Sequence, residues 1–233
     1  MKLRFFAAAF LALAIPLSGN AQPQNTVAEI AGPTYLMTYV EVVPSAAAQA
    51  VNILRDYRNA ARREPGAVQV DLYREKGQSH RFVLGEIWQN RTIVQDHVKS
   101  AATAALMQRL KPIELGPPDI RIHQAHSATS PKAPRPNDVI IISHVDVFGG
   151  NVEKLIALLN TLGEASRKDS GVVRYEILDE VPAHVNHFRV LEEWASSAAW
   201  EAHDRAPHTQ AYREALMPML GTPYDQRLYD VVN

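Results

Sequence analysis

Apolar residues along the first half of the chain follow two different spacings. From Ala46 onwards they recur every three or four residues, which is typical of a helix with one buried face. The segments on either side are rich in Tyr, Val and Met, as in strands, and Gly66 and Gly77 mark turns between them. The pattern predicts strands at residues 34–43, 67–74, 80–89 and 119–124 and helices at residues 46–63 and 90–110.

The second half of the chain shows the same order of elements. Between the halves, residues 125–137 contain Pro131, Pro134 and Pro136 and few apolar side chains, which is typical of a linker. We therefore predict one domain at residues 34–124 and another at residues 138–233. The second domain is expected to contain strands at residues 139–148, 172–179, 186–194 and 226–232 and helices from about Asn151 and at residues 197–220.

A sequence repeat links the two halves directly. Glu86, Trp88 and His97 recur 106 positions later as Glu192, Trp194 and His203, and ten identities in all fall on this single offset. A tandem duplication explains them. Each copy reads strand, helix, strand, strand, helix, strand, which is the ferredoxin-like βαββαβ arrangement. The predicted fold is α+β, with two antiparallel sheets packed face to face as an intramolecular dimeric α/β barrel.

Composition and charge narrow the classes of function. With 46% apolar and 21% charged residues the chain has ordinary globular composition, which argues against disorder throughout. A formal net charge of −1 gives no reason to expect a nucleic-acid partner. Cysteine is absent, so the cores must be held by packing without disulfides.

The N-terminus has the features of a secretory signal. Lys2 and Arg4 precede an apolar run at residues 5–17, and small residues follow at positions 19–21. We expect residues 1–21 to be a signal peptide and the protein to be periplasmic or secreted, without a stable membrane span after processing. The alternative is a leader that is retained as a membrane anchor.

The repeated motif resembles the antibiotic biosynthesis monooxygenase family, whose members form dimeric α+β barrels and include quinol monooxygenases. The resemblance rests on the Glu-x-Trp strand end and on the histidine nine residues after each tryptophan. It implies oxidation of a quinol or other small aromatic substrate by O2, without metal or flavin, and further homo-oligomers are an open possibility. A non-catalytic barrel that holds a small hydrophobic ligand, or one that binds heme, is the alternative.

The resemblance and the local chemistry nominate the same candidate residues. His97 and His203 would act as catalytic proton acceptors, or else brace their helices against the sheet. Trp88 and Trp194 would line a substrate pocket or belong to the core. The substrate-binding candidates are Trp88, Trp194, Glu86, Glu192, Tyr35, Tyr39 and Trp200.

Several of these candidates are predicted from the residues that share one face of a strand or helix. Glu86 and Glu192 lie two residues before a tryptophan and should share its face of the strand. Tyr35, Met37 and Tyr39 share one face of the first strand, and the offset of 106 places Ile141, Ser143 and Val145 at the matching positions. The same offset matches His144 with Thr38 and Trp200 with Val94, and it places Trp200 one helical turn before His203.

The remaining histidines do not have the spacing of a metal site. The pairs His123 and His126, His184 and His187, and His203 and His208 are not four apart on a helix, and no convincing carboxylate companion accompanies them in the sequence. We therefore predict no metal. Phosphate-binding glycine loops and Gly-x-Ser-x-Gly elbows are also absent.

Overall fold

A computed structural model describes residues 32–181 and 186–233. The predicted signal at residues 1–21 lies outside these ranges, and so does His184, which the spacing of the histidines sets aside as a metal ligand. The first half contains β1 (Thr34–Glu41), α1 (Ala47–Ala61), β2 (Ala67–Glu75), β3 (Arg81–Trp88), α2 (Arg91–Val98), α3 (Ala101–Leu110) and β4 (Asp119–Ser127). The second half contains β5 (Val139–Asp146), α4 (Val152–Ser166), β6 (Val172–Glu180), β7 (His187–Trp194), α5 (Ser197–Asp204), α6 (Pro207–Leu216) and β8 (Asp225–Val231).

Each half has the predicted element order, but its second helix is divided. The single helix expected at residues 90–110 is α2 followed by α3, because the Ser100 side chain accepts a hydrogen bond from the Thr103 amide and caps a new helix. The helix expected at residues 197–220 divides in the same place. There Pro207 occupies the first position of α6, where its missing N–H costs nothing.

The eight strands of the described chain form a closed antiparallel barrel in the order β1-β3-β2-β8-β5-β7-β6-β4. The last strand of each half closes it, since β4 pairs with both β1 and β6, and β8 pairs with both β5 and β2. Neither half therefore keeps a free sheet edge in the barrel. This confirms the predicted intramolecular dimeric α/β barrel.

Apolar side chains fill three regions. Two of them lie between the outer face of the barrel and the helices of each half, around Trp88 and around Trp194. The third fills the inside of the barrel and draws on both halves, including Tyr35, Tyr73 and Tyr229. A strand residue thus faces either the helices or the barrel interior, according to its position along the strand.

The strand pairing corrects the alignment of the two copies. Thr34 pairs with Trp88 and Val139 pairs with Trp194, so the first strands are offset by 105 residues and not 106. The counterpart of Tyr39 is therefore His144. The matches of His144 with Thr38, and of Ile141, Ser143 and Val145 with the Tyr35 face, are wrong. The connection from β6 to β7 is one residue longer than that from β2 to β3, and this explains the shift.

The segment between the halves is shorter than the predicted linker. β4 continues to Ser127, so residues 125–127 belong to the barrel. Ala125 pairs with Leu178 of the second half. Among the described residues, no helix has the length and apolar character needed to cross a membrane.

Candidate functional site

The repeated Glu-x-Trp motif forms a hydrogen-bonded pair on the helix-facing side of the barrel. In β3 the Trp88 indole donates to Glu86 Oε2 over 3.0 Å, and in β7 the Trp194 indole donates to Glu192 Oε2 over 2.9 Å. All four side chains are buried. Residues two apart on a strand share a face, so the expectation that each glutamate accompanies its tryptophan is confirmed.

His97, in the last turn of α2, packs against this pair. Its Nε2 lies 3.2 Å from Glu86 Oε2 and 2.6 Å from the Tyr57 hydroxyl, which α1 supplies. Its Nδ1 lies 2.7 Å from Glu64 Oε2, in the turn after α1. The imidazole therefore joins a buried carboxylate to a partly exposed one.

These two carboxylates control the protonation of His97. Burial by itself would lower the pKa of the imidazole, but the hydrogen bonds and charges of Glu86 and Glu64 outweigh it and raise the pKa above 6.5. A histidine of this kind holds a proton between two acceptors and binds it more strongly than a free histidine does.

The His97 side chain is itself buried, with 1% of its surface accessible. It lies at the floor of an open groove of about 290 Å³, which Glu64, Pro65, Ile93 and Ser100 also line. The partly exposed member of the Glu64–His97 pair faces solvent at this groove, since 28% of the Glu64 side chain is accessible. Of this pair, a small molecule in the groove would contact the Glu64 carboxylate.

The second repeat builds a related but different cluster. His203 Nδ1 lies 2.7 Å from Asp169 Oδ2, and its Nε2 lies 3.7 Å from Glu192 Oε2. His208 adds a second imidazole, with Nε2 3.1 Å from the same Asp169 oxygen. The expectation that His203 and His208 have no carboxylate companion is therefore wrong, because Asp169 lies 34 residues before His203 and only the fold brings them together.

The pKa of the histidine in the second cluster is shifted in the opposite direction to that in the first. Burial lowers the pKa of His203 below 6.5, and pairing with Asp169 does not restore it. Burial also raises the pKa of Glu192 to about 7, although the Trp194 hydrogen bond acts against this. One ancestral motif thus favours an imidazolium in the first repeat and a neutral imidazole in the second.

Tyr35 lies on the other face of the sheet and does not meet His97 or Trp88. Its hydroxyl donates to Glu176 Oε1 over 3.1 Å inside the barrel. Glu176 belongs to a buried polar cluster centred on Arg174, whose Nε lies 3.3 Å from Glu193 Oε2. Sequence reasoning missed this cluster, although charged residues within apolar strands were the available signal. It also includes Asp71 and Tyr73.

Tyr39 also points into the barrel, at the opposite end of β1. Its ring lies 5.5 Å from that of His144, centroid to centroid, and the Arg121 guanidinium lies 5.8 Å from its centre. It lines a cleft of about 270 Å³ at the barrel mouth, together with Arg227 and Tyr229. Tyr35 and Tyr39 are thus separated by the sheet from the histidine sites.

Trp200, the remaining candidate, is only partly buried. It lies in α5 and packs against the apolar core of the second half. Trp200 lies three residues before His203 in α5, about one helical turn away.

Comparison with known proteins fits this geometry. The sequence profile of the antibiotic biosynthesis monooxygenase family matches residues 33–109 and 138–215, one copy in each half. The chain belongs to this family. An uncharacterised protein from Synechocystis sp. is 25% identical over 93 residues, which span 40% of this chain and 63% of that protein.

Solved structures agree with the fold of this family member. A candidate monooxygenase from Fusobacterium nucleatum superposes with a TM-score of 0.77 at 14% identity, over 88% of this chain and 94% of its own. A candidate monooxygenase from Lactobacillus acidophilus gives 0.70 at 13% identity, over 87% and 95%. An anthrone oxidase-like protein gives 0.71 at 13% identity, over 87% and 92%. At these identities the likeness concerns the fold alone.

Proposed function

We propose that this protein is a monooxygenase that needs no cofactor and acts with O2 on quinol-like or other small aromatic substrates. Family membership supports oxygen chemistry in general. The observation that carries the proposal is the Glu64–His97 pair at the floor of the groove. A buried base that an accessible carboxylate joins to the groove is what this chemistry needs from a protein.

The first chemical step is removal of a proton from the substrate. A quinol hydroxyl in the groove would pass its proton through the Glu64 carboxylate to the neutral form of His97, which is populated as the pH rises above its raised pKa. The buried carboxylate of Glu86 then stabilises the imidazolium, and the Tyr57 hydroxyl and Trp88 ring hold the imidazole in place. An electron-rich quinolate is a far better reductant than the neutral quinol.

The oxidation itself uses only the substrate and dioxygen. The quinolate gives one electron to O2, and the resulting radical pair combines to form a carbon–oxygen bond. Cleavage of the O–O bond leaves one oxygen atom on the ring and releases the other as water. Overall, one quinol and one O2 give one hydroxyquinone and one water, so no external reductant is required.

The first repeat is the better catalytic candidate, although His203 occupies the matching position. The raised pKa makes His97 the stronger base and His97 lies beside the groove, whereas burial lowers the pKa of His203 and makes it the weaker base. We therefore assign proton transfer to His97. The sequence features at residues 1–21 lead us to place the reaction outside the cytoplasm.

Oxygen uptake with a panel of hydroquinones tests the proposal. We expect purified protein to accelerate uptake, and His97→Gln to lower kcat/KM by about 10²-fold, the usual contribution of a general base. His203→Gln is the matched control and should retain nearly the wild-type rate. Equal losses in the two variants, or no acceleration by the wild type, would refute the assignment.

A non-catalytic barrel is the second candidate, and one observation favours it. Both nitrogens of His97 already have partners within the fold, as expected of a bracing residue. In that case a hydroquinone would bind in the groove without oxygen uptake. His97→Gln would then lower stability and leave the uncatalysed rate of oxidation unchanged.

A further inference from the structure

Three potential metal ligands converge at one corner of the second repeat. Asp169 lies in the turn between α4 and β6, His203 in the last turn of α5, and His208 near the start of α6. One carboxylate oxygen of Asp169 and one nitrogen of each histidine all lie within 4.8 Å of one another. Three separate elements are needed to produce this arrangement, so sequence spacing does not reveal it.

The orientation of His208 supports a ligand role. Its Nε2 atom is buried and has no hydrogen-bond partner among the residues that the structure describes, although it lies 3.1 Å from Asp169 Oδ2. A buried polar atom without a hydrogen bond costs about 1–3 kcal/mol, so such an atom calls for an explanation. A bound cation between His208 and Asp169 would satisfy it.

The groups behind His203 also match a metal site. His203 faces Asp169 through Nδ1, and its Nε2 faces Glu192, which the Trp194 indole holds in place. Histidines that bind metals usually direct their other nitrogen to a carboxylate, which fixes the ring and strengthens the ligand. The inherited Glu-x-Trp motif supplies that carboxylate here.

The first repeat provides an internal comparison. Glu64 and His97 correspond to Asp169 and His203, but the position equivalent to His208 is Ala102. The first repeat thus has two of the three groups. The third ligand is a specific feature of the second repeat and is not a general property of the repeated fold.

We propose that Asp169, His203 and His208 bind one divalent transition-metal ion with the preferences of Zn²⁺. Two imidazoles and one carboxylate form a donor set that suits Zn²⁺, and a fourth position would remain for water. Donor atoms around a tetrahedral zinc lie about 3.3 Å apart, so Asp169 must retreat slightly from His203 as the ion enters. Solvent reaches the site, since 24% of the Asp169 and 25% of the His208 side chain is accessible.

The bound ion would join the turn after α4 to the two helices that follow β7. It would therefore stabilise the outer layer of the second repeat. This inference does not depend on the proposed oxidation of quinols, because His208 lies in the other repeat from the His97 groove. A metal-binding protein without monooxygenase activity would leave it intact.

Calorimetric titration with Zn²⁺ tests the site in chelator-treated full-length protein that carries no affinity tag. We expect one ion per chain and a rise in the melting temperature. His208→Ala should weaken binding at least about 10–100-fold, and Glu192→Gln about 10-fold through loss of support for His203. His208 is partly exposed, so its variant should fold. Absence of binding, or binding that His208→Ala leaves unchanged, would overturn the proposal.

The first repeat supplies a gain-of-site control. Ala102→His would place a third ligand beside Glu64 and His97, and the stoichiometry should rise from one to two. Co²⁺ used as a probe should develop the visible absorption of a four-coordinate site in wild type and lose it in His208→Ala. Two results together would contradict the assigned ligands. Ala102→His would bind no more zinc than wild type, and wild type with Co²⁺ would show no absorption of a four-coordinate site.

Discussion

The imidazole of His97 lies 4.1 Å from the indole of Trp88, centroid to centroid. The imidazole of His203 lies 4.5 Å from the indole of Trp194. The duplicated chain has kept this pair in both halves. The other groups around each imidazole have diverged, however. Glu64 and Tyr57 contact His97, whereas Asp169 contacts His203 and the His208 ring lies 5.4 Å from the His203 ring, centroid to centroid.

The two histidines should therefore titrate on opposite sides of pH 6.5. Glu86 and Glu64 raise the pKa of His97, and burial lowers that of His203. NMR titration of imidazole resonances in metal-free protein measures both values, with His97→Gln and His203→Gln to assign the signals. Equal pKa values for the two residues would contradict this difference.

The same shifts set the sign of the pH dependence of stability. The His97 contribution is fully present below pH 6.5 and is lost as the pH rises through its raised folded-state pKa. The His203 contribution is present above pH 6.5 and is lost as the pH falls through its lowered pKa. Chemical unfolding of the two glutamine variants against wild type would show these opposite slopes.

Replacing Glu192 by Gln should stabilise the metal-free protein at neutral pH. Burial raises the pKa of Glu192 to about 7, so the fold favours its protonated form. The stability that this form contributes is present below pH 4.5 and is lost as the pH rises to 7. The free energy of unfolding of Glu192→Gln, relative to that of wild type, should therefore increase by about 2–3 kcal/mol between pH 4.5 and pH 7. A constant difference between the two proteins would count against a raised pKa.

Trp88→Phe should destabilise the first repeat by about 2 kcal/mol. The change leaves a cavity and removes the indole N–H that Glu86 accepts in a buried site. Denaturant unfolding of Trp88→Phe, Glu86→Gln and the double variant measures the coupling between them. The double variant should cost less than the sum of the single ones, and strict additivity would show that the hydrogen bond contributes nothing.

The sequence was sufficient for the repeat, the element order and the barrel, since these follow from periodicity and from the Glu-x-Trp motif. It also placed Glu86 and Trp88 on one face, because that relation needs only alternation along one strand. It could not show that Tyr35 faces away from Trp88. That relation depends on how β1 and β3 pair, and on which face the helices cover.

Two further features, the one-residue change in the offset and the contacts of Asp169, could not be predicted from the sequence. The extra residue between β6 and β7 makes the offset 105 before it and 106 after it. An offset of 106 throughout would assign His144 to the helix-facing side, whereas His144 faces the barrel interior. Asp169 meets His203 and His208 only after α4 and α5 have packed on the sheet. The breaks at Ser100 and Pro207, in contrast, had visible signals in the sequence.

Cutting the connection between the repeats should leave the barrel assembled. β4 pairs with β6 and β8 pairs with β2, so each half contributes strands to both seams. With a protease site introduced between residues 128 and 136, the two fragments should elute together and unfold in one transition. The uncut protein with the same insertion is the control. Fragments that separate under native conditions would contradict the shared barrel.

The most direct measurement of the proposed function is oxygen-isotope incorporation during oxidation of a hydroquinone. With dioxygen labelled with heavy oxygen, we predict one labelled atom in the hydroxyquinone and one in water, formed by wild type and largely lost in His97→Gln. Labelled water together with an unlabelled quinone would instead indicate an oxidase. Oxidation at the uncatalysed rate would contradict a catalytic role for the Glu64–His97 pair.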